Sequence, residues 1–142
     1  MAGLVKSFNV KARDFAKAGE ASLHIQGLLK QIGFEPGLIR RISICAYEAE
    51  MNAVMHGGDG EVVLRVGTEN IVLEVSDDGP GINDVELALK EGYSTATKEH
   101  REMGFGAGMG LPNINKNADS LKIDSPEVGG AHLKMEFRVT GE

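Results

Sequence analysis

Cysteine occurs once in this sequence, at Cys45. A single thiol cannot close an intrachain disulfide, so a disulfide-stapled fold is excluded. Its place among helix-forming residues marks it as a small core residue rather than a nucleophile. No apolar run approaches the roughly 18 residues of a membrane span. The opening residues MAGLVKSFNV lack the charged-then-apolar pattern of a secretory signal. The expectation is a cytoplasmic protein with no membrane attachment. Basic clusters are missing as well: the net charge is −6 and the Lys and Arg residues are dispersed. Neutralising phosphates needs concentrated positive charge, so direct nucleic-acid binding is not expected. There is no GxxxxGKS/T motif, which excludes a P-loop. The segment Gly106-Ala107-Gly108-Met109-Gly110 misses the GxGxxG spacing, and no strand leads into it. Internal repeats and low-complexity segments are absent too.

The 142 residues suffice for one ordinary domain, 1–142, and 42% hydrophobic with 25% charged residues is a globular balance. Glycine is abundant, with 19 residues in the chain, most of them between Gly57 and Gly130, where the working loops are expected. Residues 5–10 roughly alternate and predict an edge strand. Asp14 is a plausible N-cap for a helix through Ile32, with Leu23, Ile25, Leu28, Leu29 and Ile32 as its buried stripe, ended by Gly33. Glu35-Pro36-Gly37 is a turn or a helix start. Residues 61–66 and 71–75, joined by 67–70, predict a hairpin. Asp84 caps a short helix over 85–91. Gly92 to Gly110 lacks periodicity and reads as a long working loop. A further helix opens at Leu111 and runs to about Ala118. Residues 121–123 and 132–139 complete the strands. In the last, Leu133, Met135, Phe137 and Val139 share one side. Helices and strands that do not alternate one by one indicate an α+β fold, a mixed sheet with helices on one face.

The chemistry gathers around residues 41–58, RISICAYEAEMNAVMHGG. Ile42, Cys45, Ala49, Ala53 and Met55 give this helix an apolar side. Glu48, Asn52 and His56 follow at steps of four and stack on one face. A carboxylate, an amide and an imidazole in line can serve as base, metal ligand and polar neighbour. Further on, Asp77 ends an apolar strand and is followed by Gly79 and Gly81. A carboxylate there can accept a hydrogen bond from an exocyclic amine such as that of adenine, with the glycines leaving room for a flat ring. The glycines ending at Gly110 let backbone approach an anion, and amides at a helix start point towards it.

Glu48-x-x-x-Asn52, Asp77-x-Gly79-x-Gly81 and Gly108-Met109-Gly110-Leu111 resemble the N, G1 and G2 boxes of the GHKL ATPases, the superfamily of gyrase, Hsp90, histidine kinases and MutL. Within it, Glu48-Ala49-x-x-Asn52-Ala53-x-x-His56 is similar to anti-sigma-factor kinases. Gly79-Pro80-Gly81-Ile82, Gly92-Tyr93-Ser94-Thr95 and Gly108 to Pro112 look more like the stressosome switch kinase. The resemblance implies a Bergerat-type two-layer α/β sandwich binding ATP and Mg²⁺. It implies Glu48 as general base towards a serine or threonine hydroxyl, Asn52 as Mg²⁺ ligand and Asp77 as adenine ligand. Gly79 and Gly81 would shape that pocket, while Gly106, Gly108 and Gly110 wrap the phosphates. The implied partners are a STAS-domain antagonist protein, a sigma factor and a second copy, since related kinases commonly dimerise. Two other roles carry the same boxes: an ATP-bound anti-sigma factor that sequesters a sigma factor, and a detached histidine-kinase catalytic domain acting in trans. Ala131 follows Gly130 where family members often carry Thr. The arginine that precedes the glycine box in the sporulation kinase has no counterpart near Gly106, leaving Lys98 and Arg101 as lid cations.

Overall fold

The computed structural model describes residues 3–12, 14, 16–55, 59–79, 110–124 and 130–139. His56, the 85–91 helix, Gly81, Lys98, Arg101, Gly106 and Gly108 lie outside the described residues. The described elements are β1 (Leu4–Val10), α1 (Glu20–Ile32), α2 (Pro36–Met55), β2 (Gly60–Val66), β3 (Asn70–Asp77), α3 (Gly110–Asn117), β4 (Ser120–Asp124) and β5 (Ala131–Arg138). The strands form one sheet in the order β1-β2-β3-β5-β4. Where the sequence suggests a mixed sheet, every pairing of described strands is antiparallel. The β2–β3 hairpin turns through Gly67, whose N–H donates to the Asn70 carbonyl at 2.9 Å. Its register then sets Asp77 opposite Gly60 on one side and Ala131 on the other.

Alternation along the strands sends Val62, Leu64, Ile71, Leu73, Leu133, Met135 and Phe137 to one buried face. The helices cover that face. Every residue of the expected apolar side of α2 is buried: Ile42, Cys45, Ala49, Ala53 and Met55. Small side chains at 45, 46, 49 and 53 let the helix axis sit close to the strands. Proline at the first position of α2 has no N–H to orphan, and the Glu35 carboxylate accepts the Gly37 N–H at 2.8 Å.

The first helix differs from its expected form. It starts at Glu20 rather than at Asp14, and Asp14 caps only a turn, accepting the Lys17 N–H at 3.3 Å. Gly19 stands at the N-cap with φ 97°, a left-handed conformation that suits glycine. The cap itself comes from α2. Glu50, 3% exposed, accepts the N–H groups of Gly19 (3.0 Å) and Ala21 (3.3 Å) on Oε2 and of Ser22 (3.0 Å) on Oε1. A buried carboxylate thus satisfies amides that a helix start leaves without partners. The starting frame set by this contact buries Ile25 and Leu29 but leaves Leu23 65% and Ile32 47% exposed.

Removing the carboxylate orphans three buried amides at once. Glu50→Ala is expected to lower unfolding free energy by about 2–4 kcal/mol, read as a reduced urea midpoint. Glu50→Gln is expected to lose less, because one amide oxygen still accepts.

Candidate functional site

Glu48 and Asn52 occupy consecutive turns of α2, about 6 Å apart along its axis. Both are half-buried, at the border between packed helix face and solvent. Glu48 does not stand alone. Asn113, in the first turn of α3, donates from Nδ2 to Glu48 Oε2 at 3.2 Å. The other carboxylate oxygen, Oε1, accepts no hydrogen bond among the described residues, and the Asn52 side chain makes none there either.

Three residues on one face of α2 hold α3 in place. Arg41 Nη1 donates to the Asn117 carbonyl at 3.1 Å, near the helix end where carbonyls lack partners, and pairs with Asp119 at 3.4 Å. Cys45 Sγ lies 3.7 Å from the Ile114 carbonyl. Glu48 meets Asn113 one turn further. Helix α3 begins at Gly110, the last residue of the glycine-rich stretch, so its start and the Glu48 carboxylate are linked through Asn113. The amides of its first turn are suited to an anion.

Asp77 ends β3 half-buried, and its Oδ1 accepts the Gly79 N–H at 2.9 Å. The turn is gripped from both sides. Asp59 N–H donates to Asp78 Oδ1 at 2.8 Å and Asp78 N–H returns a bond to the Asp59 carbonyl at 3.0 Å. Gly130 N–H donates to the Gly79 carbonyl. Gly130 has φ 84°, and a Cβ on it would come within 2.9 Å of the Asp77 carbonyl oxygen. Only glycine lets this strand start so near the aspartate turn. At most four residue steps, about 14 Å of chain, separate the end of α2 from Asp59. The Asn52 end of α2 and the Asp77 turn therefore share one end of the molecule.

Of the residues singled out from sequence, Glu48 and Asn52 share one helix face, Asp77 and Gly79 form the turn at the same end, and Gly110 opens α3. Gly81, Gly106 and Gly108 fall outside the described residues. Sequence reasoning missed Asn113. Its only local signal is a polar residue in the turn after Gly110-Leu111-Pro112, while its partner lies 65 positions away. It also missed the reason for Gly130, which reads locally as a plain turn.

Cys45 is fully buried, and desolvation pushes its thiol from about 9 up to about 12, with Arg41 lowering it and Glu48 raising it further. The native state keeps this proton above the pH at which the unfolded chain loses it. Stability from this group is therefore intact below about pH 9 and falls as pH rises towards 12, by up to about 1.4 kcal/mol per pH unit. Urea midpoints at about pH 8 and about pH 10.5 are expected to converge in Cys45→Ala relative to the parent. Iodoacetamide is expected to label the parent only after unfolding.

The family described as the histidine kinase-like ATPase domain matches residues 12–137. The serine/threonine-protein kinase RsbT of Bacillus subtilis is 25% identical over 113 residues, which cover 77% of this chain and 79% of that protein. An anti-sigma F factor of Caldanaerobacter subterraneus is 30% identical over 102 residues, 68% of each chain. Among solved structures, the RsbU and RsbW domains of Rv1364c from Mycobacterium tuberculosis superpose with a TM-score of 0.59 at 17% identity. That superposition covers 94% of this chain and about a third, 32%, of the other. The catalytic domain of histidine kinase ThkA gives a TM-score of 0.56 at 14% identity, covering 95% of this chain and 99% of that one. These likenesses show the same two-layer fold, and with a match spanning residues 12–137 the chain belongs to the histidine kinase-like ATPase domain family.

Proposed function

We propose that this chain is, over residues 1–142, one ATP-dependent serine/threonine protein kinase domain of the anti-sigma regulatory type, which phosphorylates a STAS-domain antagonist protein. The observation that carries the reading is the Glu48 carboxylate. One oxygen is fixed by Asn113 while Oε1 accepts nothing among the described residues. A half-buried carboxylate held in one orientation with an open oxygen suits a general base. The acceptor hydroxyl would give its proton to Oε1 as its oxygen takes the terminal phosphoryl group of ATP and the bond to the departing ADP breaks.

The donor set fits the nucleotide. Asn52 offers an amide oxygen one turn from Glu48, and Mg²⁺ commonly takes one or two protein oxygens beside phosphate oxygens. Bound with Mg²⁺, ATP supplies the transferable phosphoryl group. Asp77 would receive the adenine amino group, and Gly79 and Gly81 would leave room for the ring. Gly106, Gly108 and Gly110 would offer backbone amides to the phosphates, together with those of the α3 start. Ala131 supplies no hydroxyl, so adenine recognition falls to Asp77 and water.

A second reading is supported by the anti-sigma F factors among the relatives: an ATP-bound protein that mainly sequesters a sigma factor. A detached histidine-kinase domain is the third. One experiment separates them. The chain is incubated with labelled ATP, candidate STAS-domain proteins and a sigma factor. Acid-stable phosphoserine or phosphothreonine supports the kinase, acid-labile phosphohistidine the third reading, and sigma-factor binding without transfer the second. Glu48→Gln is expected to lower phosphotransfer by about 10²–10⁴-fold with Mg-ATP affinity retained in calorimetry. Asn52→Ala is expected to lose Mg-ATP affinity itself. Unchanged transfer in Glu48→Gln removes this residue as the base.

A further inference from the structure

A groove of about 540 Å³ runs between the later turns of α1 and the solvent side of α2, and Glu48 is one of its lining residues. The groove is distinct from the Asp77 turn, which contributes nothing to its lining. Its floor is apolar, formed by Phe34, Ile39 and Ile44, and the Tyr47 ring stands beside it 45% exposed. Ser43 also lines it, with its hydroxyl buried and without a hydrogen-bond partner among the described residues. Of the four large hydrophobics exposed among the described residues, Tyr47 lines this groove.

The rim is positive. Lys30 and Arg40 stand on opposite sides, both exposed and neither in an ion pair among the described residues. They are a local exception in a chain of net charge −6.

Resting on the kinase reading of Glu48, we infer that this groove seats the acceptor segment of the partner protein, an acidic stretch with an apolar anchor next to its serine or threonine. The anchor lies on Phe34, Ile39 and Ile44. Flanking carboxylates of the segment meet Lys30 and Arg40. The segment then ends at Glu48, with its hydroxyl beside Oε1. Specificity for the acceptor is thereby set on the α1–α2 surface, apart from the nucleotide turn. Rim charges of this kind govern encounter and partner choice more than the chemical step.

The test uses the full chain with ¹³C-labelled isoleucine methyls and a short synthetic peptide of Leu, Asp and one Ser. Its control is the same peptide with Lys in place of Asp. Titration is expected to shift Ile39 and Ile44 while leaving Ile71, under the sheet, unmoved. The double variant Lys30→Glu/Arg40→Glu is expected to weaken binding by about tenfold or more and to flatten its salt dependence. Tyr47→Ala, which removes an exposed ring, is expected to weaken it as well, with the Ile71 signal certifying the fold of each variant. The inference is overturned by equal binding of the lysine peptide, by binding that survives charge reversal, or by no shift at all. Shifts that track protein concentration without peptide would give the groove to a second copy and overturn it too. Peptide binding persists in Glu48→Gln under this proposal, so a failure of Glu48 as base and a failure of the groove are read from different signals.

Discussion

The close seating of α2 on the sheet is the constraint on which the other features depend. Ala46, Ala49 and Ala53, with Cys45, present so little side chain that the helix backbone lies near Leu73, Met135 and their neighbours. A helix held that tightly cannot rotate, because turning it would lift the small residues off the strands and drive larger ones in. Its remaining faces are therefore fixed in direction. One carries Glu50 to the start of α1, another carries Arg41, Cys45 and Glu48 along α3, and the solvent side opens onto the groove beside α1.

Two glutamates show what that fixed direction does. Glu48 and Glu50 are two positions apart, roughly 200° around the helix. Glu50 is nearly inaccessible, and its two oxygens take three backbone N–H groups, so no substrate hydroxyl reaches it. Glu48 is half-exposed and takes one side-chain donor. The same functional group is a structural cap in one place and an open carboxylate in the other, and only the helix rotation separates them. Cys45, one turn before Glu48, is the reverse case: a reactive group made inert by burial that lifts its thiol to about 12.

Asn113 connects two parts of the candidate site that are far apart in the chain. It stands in the first turn of α3, three residues after Gly110, and its amide touches the carboxylate of α2. Arg41 and Cys45 contact the later part of the same helix. Bonds from Asp59 and Gly130 hold the Asp77 turn on both sides.

By itself the sequence determined the class of fold, the hairpin of strands 61–66 and 71–75, the buried side of α2 and the stacking of Glu48 with Asn52, because these follow from local periodicity and turn chemistry. The three boxes Glu48-x-x-x-Asn52, Asp77-x-Gly79-x-Gly81 and Gly108-Met109-Gly110-Leu111 also carried the family. Tertiary structure alone decided where α1 begins, since its cap comes from Glu50 some thirty positions away and outweighs the local signal at Asp14. It likewise decided that Leu23 and Ile32 face solvent, that Asn113 reaches Glu48 and that Gly130 must lack a side chain beside Asp77. Each of these depends on a contact between segments distant in the chain. Helical and strand periods record which way a residue points on its own element, and the partner it meets is set by packing.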